Sequence, residues 1–524
     1  MTTSTIPTLT SLDAIYPETS VAKQRPRWTN LLQKFQTQYS RPADFVSRSP
    51  GRVNLIGEHI DYSLYAVVPM AVEQDVLIAV AASPCSSDTP RIRLANLDGD
   101  RFPTQEFNVK ADGTVDIDST KLDWGNYFKA GLKGATELLS KLGHAGLKAD
   151  LDVLATGTVP AGGGMSSSAA FVCASALAVV RAAGLHDVEK RALVETAVVS
   201  ERSVGVNSGG MDQSASVFGE KDSALHVNFV PQLHARAIQF PKLKQPLTFV
   251  VAQSLVAADK HVSAPVCYNL RVVECTLAAL VLARITGLRA SLEDSSPLGV
   301  SLRSFHDAFF AQKGNPEHDG SEISKEKAQL DRLLKMVHDY LPQEEGYTRE
   351  QISEILGTPV SQLEEKYMTK FPVRAEQFKL RQRAMHVFSE ARRVTNFLAL
   401  LESEAPETDA ESSALVQDLG ALLNETQDSC RDIFECSCPE LDELCSLARS
   451  AGSAGSRLTG AGWGGCSVHL VPADKVEAVT QAWTEKFYNK RFPDMSEEKL
   501  AEAIVVSKPG KGSCVFDVQG RESV

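Results

Sequence analysis

The run GTVPAGGGMSSSAA at residues 157–170 sets three consecutive glycines and three consecutive serines directly ahead of AAFVCASALAVVRAAG, an alanine-rich, helix-prone stretch. LKADLDVLATG leads into it as a strand, so the chain passes from strand through a glycine-serine loop into a helix. Bare backbone amides, hydroxyls and the positive end of a helix dipole converge there, which suits a polyphosphate. A nucleotide is therefore the first ligand to consider. A flexible turn followed by a buried helix with a serine N-cap has the same composition. The loop by itself leaves both readings open.

At 524 residues the chain is too long for one ordinary core and is expected to form two to four domains. A hydrophobic fraction of 43% with 23% charged residues is that of a soluble globular protein, so no large part need be disordered. A net charge of -12 argues against bulk nucleic-acid or anionic-membrane binding, while leaving room for a local basic pocket. The N-terminal segment has no continuous apolar stretch, and nowhere do roughly 18 apolar residues run uninterrupted, so a cytoplasmic protein is expected. Ten cysteines over this length are too few for a disulfide framework. Cys430, Cys436, Cys438 and Cys445 lack paired CxxC spacing and partner histidines, so structural zinc is not expected.

Helical spacing at 28–40 gives way to a strand-like run over 44–57, then to strands at 67–83 and 92–98. Further helices are expected over WGNYFKAGLKGATELLSKLG, at about 187–204 and over RVVECTLAALVLARITG, with strands at 224–230 and 247–256. The stretch from about 290 to 370 is charged, with helical periodicity, and reads as a helical elaboration on the surface. Strands and helices without a strict alternating rhythm predict an α+β fold. The expected organisation is an N-terminal extension over 1–24, a first lobe over 25–235 and a second over 236–524, meeting near 231–245.

Two nucleotide signatures fail on inspection. Glycine stands where a Walker loop requires lysine, and no HRD catalytic loop occurs. Gly460, Gly462 and Gly465 satisfy GxGxxG, but the strand-like CSVHLVP follows where a dinucleotide fold needs a helix. Those glycines more simply allow a close backbone approach, to another segment or to a ligand.

The segment SPGRVNLIGEHIDY at 49–62 packs Arg52, Glu58, His59 and Asp61 beside a glycine-flanked turn. Arginine forks, imidazole and carboxylates suit a polyhydroxylated substrate, and a solvated loop is the alternative. Asp212 in SGGMDQSAS fits an N-cap or first-turn charge, and equally a general base facing a substrate hydroxyl. Glu201, on a helix ending near the same turn, would make a Mg²⁺ set with a loop serine. Trp124, beside Asn126 and Tyr127, suits stacking on adenine or plain packing.

These segments together resemble the GHMP family of small-molecule kinases, and within it the galactokinases. SPGRVNLIGEHIDY is similar to the galactokinase signature, VPAGGGMSSSAA to the phosphate-binding loop, and GSRLTGAGWGGCSVHLVP at 455–472 to the third glycine-rich motif. The resemblance extends from about residue 25 to 520. Length, helical insertion, YNLRVVE and CRDIFECSCPELDEL resemble the fungal galactokinases and the related N-acetylgalactosamine kinases.

The resemblance implies a two-lobed fold, with a first lobe like the second domain of ribosomal protein S5 and a ferredoxin-like second lobe. It implies that ATP and D-galactose give galactose 1-phosphate and ADP, the first step of galactose catabolism. Arg52, Glu58, His59, Asp61 and Tyr268 would hold the sugar, Asp212 would take the anomeric proton, and Arg52 would stabilise its ionised form. Gly162, Gly164, Ser166, Ser167 and Ser168 would cradle the phosphates, Trp124 the adenine, and Ser168 with Glu201 the Mg²⁺. No nucleic-acid or membrane partner is implied, and a monomer is compatible with the acidic surface.

Three positions depart from the family's usual pattern: Ser63-Leu64-Tyr65 after the HxDY tyrosine, Met165 in place of leucine, and Ser208, which receives no sugar contact. Two other functions stay open on this fold, N-acetylgalactosamine phosphorylation and galactose sensing with a regulatory protein partner. A known sensor lacks a serine-alanine pair in the phosphate loop, whereas SSSAA is complete here.

Overall fold

The computed structural model describes residues 4–518 apart from 86–88, 119, 122, 161, 206–208, 244–246, 257–264 and 370–372. Ser208 thus lies outside the described residues. Three sheets organise the molecule. The largest contains β1 (Thr8–Leu9), β2 (Phe45–Ile56), β3 (Val68–Pro84), β4 (Arg91–Asn96), β5 (Gln105–Asn108), β6 (Ala149–Gly157) and β13 (Cys514–Asp517), in the order β1-β13-β2-β3-β6-β4-β5. β7 (Ser223–Asn228) and β8 (His234–Gln239) form a hairpin. The third sheet has β9 (Leu247–Gln253), β10 (Gly455–Thr459), β11 (Cys466–Pro472) and β12 (Ile504–Ser507) in the antiparallel order β10-β11-β9-β12.

β3 shows why its sequence is continuously apolar. Val76, Ile78 and Val80 enter the large core with α2 (Gly125–Lys141), α3 (Ser167–Ala182) and α4 (Lys190–Glu201), while Leu77, Ala79 and Ala81 pack on the other face against α1 (Glu18–Tyr39) through Trp28, Leu31 and Phe35. A strand covered on both faces loses the polar alternation of a half-exposed one. β2 is also buried throughout, but its pairing with β3 slips between Pro50 and Arg52 and again between Asn54 and Ile56. At the first slip a Cβ on Gly51 would stand 2.7 Å from the Met165 carbonyl oxygen, and the Arg52 amide donates to that oxygen at 3.1 Å. The irregularity seats the glycine-serine loop directly on β2.

The pairing redraws the expected boundaries. β1 pairs with β13 and β13 with β2, so residues assigned to an N-terminal extension and residues from the far end of the second lobe both complete the first sheet. α1 starts ten residues before the expected helix because its opening turns, ETSVAKQRPR, carry little apolar periodicity. The helical texture also runs beyond 290–370: Tyr268–Ile285, Leu380–Leu401, Asp409–Asp432 and Pro439–Ser450 are helices between β9 and β10. Among the described residues no helix is long and apolar enough to cross a membrane.

Candidate active site

The site forms where β2, the 157–168 loop, α5 (Met211–Phe218) and the β10–β11 turn meet. Gly210 caps α5 at φ 115°, a left-handed conformation natural to glycine, and Asp212 follows in the first turn where a carboxylate complements the helix dipole. Both Nε and Nη2 of Arg52 lie 2.7 Å from Asp212 Oδ1, and Arg52 Nη1 donates to the Gly164 carbonyl at 2.7 Å. Ser166 Oγ donates to Asp212 Oδ2 at 2.5 Å. The Asp212 side chain is 23% exposed against 4% for Arg52, so the acid is the member of the pair that faces the cleft.

The loop itself is held by the third glycine motif. Gly164 has φ 75° and a Cβ there would stand 2.8 Å from the Cys466 amide, while a Cβ on Gly460 would stand 2.7 Å from the Gly164 oxygen. The GxGxxG glycines thus serve backbone contact between segments, as rejection of a dinucleotide fold requires. Ser167 and Ser168 open α3, half buried, and Gly162, φ 73°, has open space around it.

Glu201 ends α4, is buried, and accepts from Gln213 Nε2 at 2.6 Å, one residue from Asp212. The Cys173 thiol, on the second turn of α3, is pushed up by burial and then by Glu201 and Asp212. One carboxylate and one hydroxyl suit Mg²⁺, which keeps water and nucleotide phosphates as its other ligands. Among the described residues no cluster of three or more ligating side chains forms an all-protein cage.

The 57–62 turn supplies buried polar groups. Glu58 is paired with Arg457 and accepts from the Gly460 amide at 3.0 Å; burial pushes its carboxyl up against the opposing pull of Arg457. His59, at φ 60°, donates from Nε2 to the Ala461 carbonyl at 2.9 Å and meets Tyr62 Oη through Nδ1 at 3.1 Å. Its ring lies 5.0 Å from Phe434, 5.4 Å from Tyr268, 5.6 Å from Trp463 and 5.9 Å from Tyr62. Asp61 Oδ2 accepts from the Met211 amide at 3.2 Å, and burial together with Asp212 raises its carboxyl. Tyr268 begins its helix, and burial followed by Asp61, Asp212 and Glu58 keeps its phenol protonated. Arg52, Glu58, His59, Asp61, Asp212 and Tyr268 therefore lie close to one another. Trp124 stands apart at the start of α2, donating to the Pro103 carbonyl at 3.0 Å with its ring 5.8 Å from Phe171 on α3.

A family model for the galactokinase galactose-binding signature matches residues 33–82, and models for the N-terminal and C-terminal GHMP kinase domains match 126–220 and 412–489. A galactokinase of Saccharomyces cerevisiae is 43% identical over 530 residues, covering 97% of this chain and 99% of the relative. The chain belongs to the galactokinase family. A galactokinase of Schizosaccharomyces pombe is 39% identical over 508 residues, covering 95% of this chain and 96% of the relative. The crystal structure of Lactococcus lactis galactokinase complexed with galactose has a TM-score of 0.62 at 22% identity, covering 93% of this chain and 99% of that one, and shares the two-lobed GHMP kinase fold.

In this galactokinase-family chain, sequence patterns did not point to the residues that hold the 57–62 turn from behind. Glu390 Oε1 accepts the amides of Gly57 and Glu58 at 2.8 and 3.0 Å, and Oε2 accepts from Thr426 Oγ1 and Arg393 Nε at 2.9 and 2.8 Å. Burial pushes this carboxyl up, yet the basic groups around it, Arg393 first among them, together outweigh burial and hold it at about 2. His386 is kept neutral by burial, its pKa lowered to about 3, so Nε2 donates to the Glu58 carbonyl at 2.9 Å and Nδ1 accepts from Ser429 Oγ at 2.9 Å. Arg457 lies inside the third glycine-rich motif, where glycine spacing gives no sign of its pairing with Glu58.

Proposed function

We infer that the chain transfers the γ-phosphoryl group of ATP to the anomeric hydroxyl of D-galactose, giving galactose 1-phosphate and ADP. The observation that carries this reading is the partly open carboxylate of Asp212, gripped on both oxygens between a glycine loop at a helix N-terminus and a turn of buried polar side chains. Glu58, His59, Asp61 and Tyr268 offer acceptors and donors for sugar hydroxyls, and Arg52 reaches the same space. The amides of Gly162, Gly164, Ser166, Ser167 and Ser168 and the hydroxyls of Ser167 and Ser168 serve the phosphates, with Trp124 toward the adenine.

Asp212 takes the proton of the anomeric hydroxyl as its oxygen attacks phosphorus. Arg52 stabilises the carboxylate beforehand and offsets the charge that develops during transfer. Bound Mg²⁺, held by Ser168 and Glu201 with the phosphates, would neutralise charge on the transferring group. No covalent intermediate is required, because positioning and electrostatics carry most of the acceleration in phosphoryl transfer.

The serine run supports turnover over silent sensing, since Ser166 meets Asp212 and Ser167 starts α3 without interruption. An ADP-release assay with galactose, N-acetylgalactosamine and glucose tests the reading, with the highest kcat/KM expected for galactose. Asp212→Asn should lower kcat by roughly 10²- to 10⁴-fold, the range of general-base catalysis, while galactose and ATP still bind. No ADP from any hexose despite binding would establish the sensor, and a preference for N-acetylgalactosamine would replace the substrate.

A further inference from the structure

We propose that Ser166 is a positioning residue for Asp212: its hydroxyl fixes the base against the phosphate loop. This inference rests on the assignment of Asp212 as the base. Ser166 occupies φ 56°, ψ 49°, the left-handed region, which disfavours a residue bearing a Cβ. Neighbouring Gly162 and Gly164 also have positive φ, at 73° and 75°, and there the chain uses glycine. A serine retained in that conformation calls for a reason.

Helix capping does not supply it. A capping serine adopts an extended backbone and accepts an amide hydrogen from the first turn, whereas Ser166 is left-handed and makes no side-chain cap bond. Its Oγ instead donates to Asp212 Oδ2 at 2.5 Å, across 46 residues of sequence. Arg52 takes Oδ1 with Nε and Nη2, and its remaining Nη1 holds the Gly164 carbonyl. Ser166, Asp212, Arg52 and Gly164 thus close a ring that passes twice through the phosphate loop. Both carboxylate oxygens are fixed, so the base cannot rotate without breaking one contact. Because the loop that fixes the base also serves the nucleotide, proton acceptor and phosphoryl donor share one frame. Geometry of this kind contributes to rate rather than to substrate affinity.

The pair Ser166→Gly and Ser166→Ala separates hydroxyl from backbone. Glycine removes the whole side chain and accepts the left-handed turn freely; alanine removes only the hydroxyl and leaves the backbone disfavoured. Both variants should lose roughly 10- to 100-fold in kcat, the scale of one charge-assisted hydrogen bond, with KM for ATP changed by less than about threefold. Ser166→Gly should melt no lower than the natural chain, and calorimetric titration with galactose and MgATP should show both sites intact. A Ser166→Gly variant with undiminished kcat would overturn the proposal, as would a loss confined to Ser166→Ala. A raised ATP KM with preserved kcat would make Ser166 a phosphate ligand only. If Asp212→Asn itself turns over normally, the base assignment fails first, and the two failures are told apart.

Discussion

Arg52→Lys is the substitution that most directly tests how the site is built. The guanidinium spans two jobs, with Nε and Nη2 on Asp212 Oδ1 at 2.7 Å each and Nη1 on the Gly164 carbonyl at 2.7 Å. Lysine keeps the charge but offers one ammonium without a rigid fork, so it can serve the acid or the loop but not both in this geometry. The Arg52 side chain is only 4% exposed, so little water reaches its side of these contacts to replace the one that is lost. A lost hydrogen bond to a charged group costs about 1.5–3 kcal/mol, which corresponds to a fall of roughly 10- to 150-fold in kcat/KM.

Charge and geometry then separate by pH. Arg52→Ala removes the cation that favours ionised Asp212, so the acidic limb of the kcat/KM profile should move to higher pH; Arg52→Lys keeps the cation and should move it less. The assay is ADP release over a pH series, with each substrate saturating in turn and melting curves as a folding control. An Arg52→Lys enzyme with natural kcat/KM would refute the fork argument. An acidic limb that moves to lower pH in Arg52→Ala would refute the electrostatic one.

Glu201→Gln should raise the Mg²⁺ concentration needed for half-maximal rate, and an unchanged magnesium titration would remove Glu201 from the metal set. Glu390→Ala leaves the buried Gly57 and Glu58 amides without their acceptor, and should raise galactose KM by roughly tenfold or more with ATP KM unchanged. Glu390→Gln keeps an oxygen facing those amides and should restore most of the affinity; equal losses in both variants would refute the capping role. Acid should destabilise the fold well before its carboxylates titrate. Burial lowers His226 and His306 to about 4, and His386 and His469 to about 3, from an ordinary 6.5. Between pH 6.5 and these values the unfolded chain binds protons that the folded chain refuses. The stability is therefore present above 6.5 and lost as pH falls, by up to about 1.4 kcal/mol per pH unit for each histidine. Melting temperatures measured from pH 7.5 to 4.5 should show this slope, and His469→Gln should flatten it.

What the sequence disclosed of this site depended on whether the signal was local. The strand-loop-helix passage through 157–170 was legible because glycine, serine and helix-forming alanine each act within a few residues of themselves. Glu390 and His386 were not legible, for the opposite reason. They lie four apart on the helix Leu380–Leu401, so they share a face, and both are fully buried. Hydrophobic periodicity assigns polar residues to the solvent side, and nothing in that helix records the two unpaired amides it was selected to meet. β13 escaped for a related reason, because its four residues acquire meaning only beside β2, whose register with it runs from Cys514–Arg48 to Asp517–Phe45.

The same distinction explains the third glycine motif, whose chemistry was misleading until its surroundings were known. A Cβ on Gly460 would press on the Gly164 oxygen, on Gly462 it would stand 2.0 Å from the Cys436 oxygen, and on Gly464 2.5 Å from the Val256 oxygen. Gly460 therefore lets second-lobe backbone reach first-lobe backbone, while Gly462 and Gly464 allow close packing within the second lobe. Gly460 does this at two places, since its amide also donates to Glu58 at 3.0 Å. Gly460 in the β10–β11 turn thus donates to the Glu58 carboxylate and leaves no room for a side chain against the Gly164 carbonyl that Arg52 holds. A side chain at Gly460 should therefore disturb the 57–62 turn and the 157–168 loop together, because the same residue lies against each.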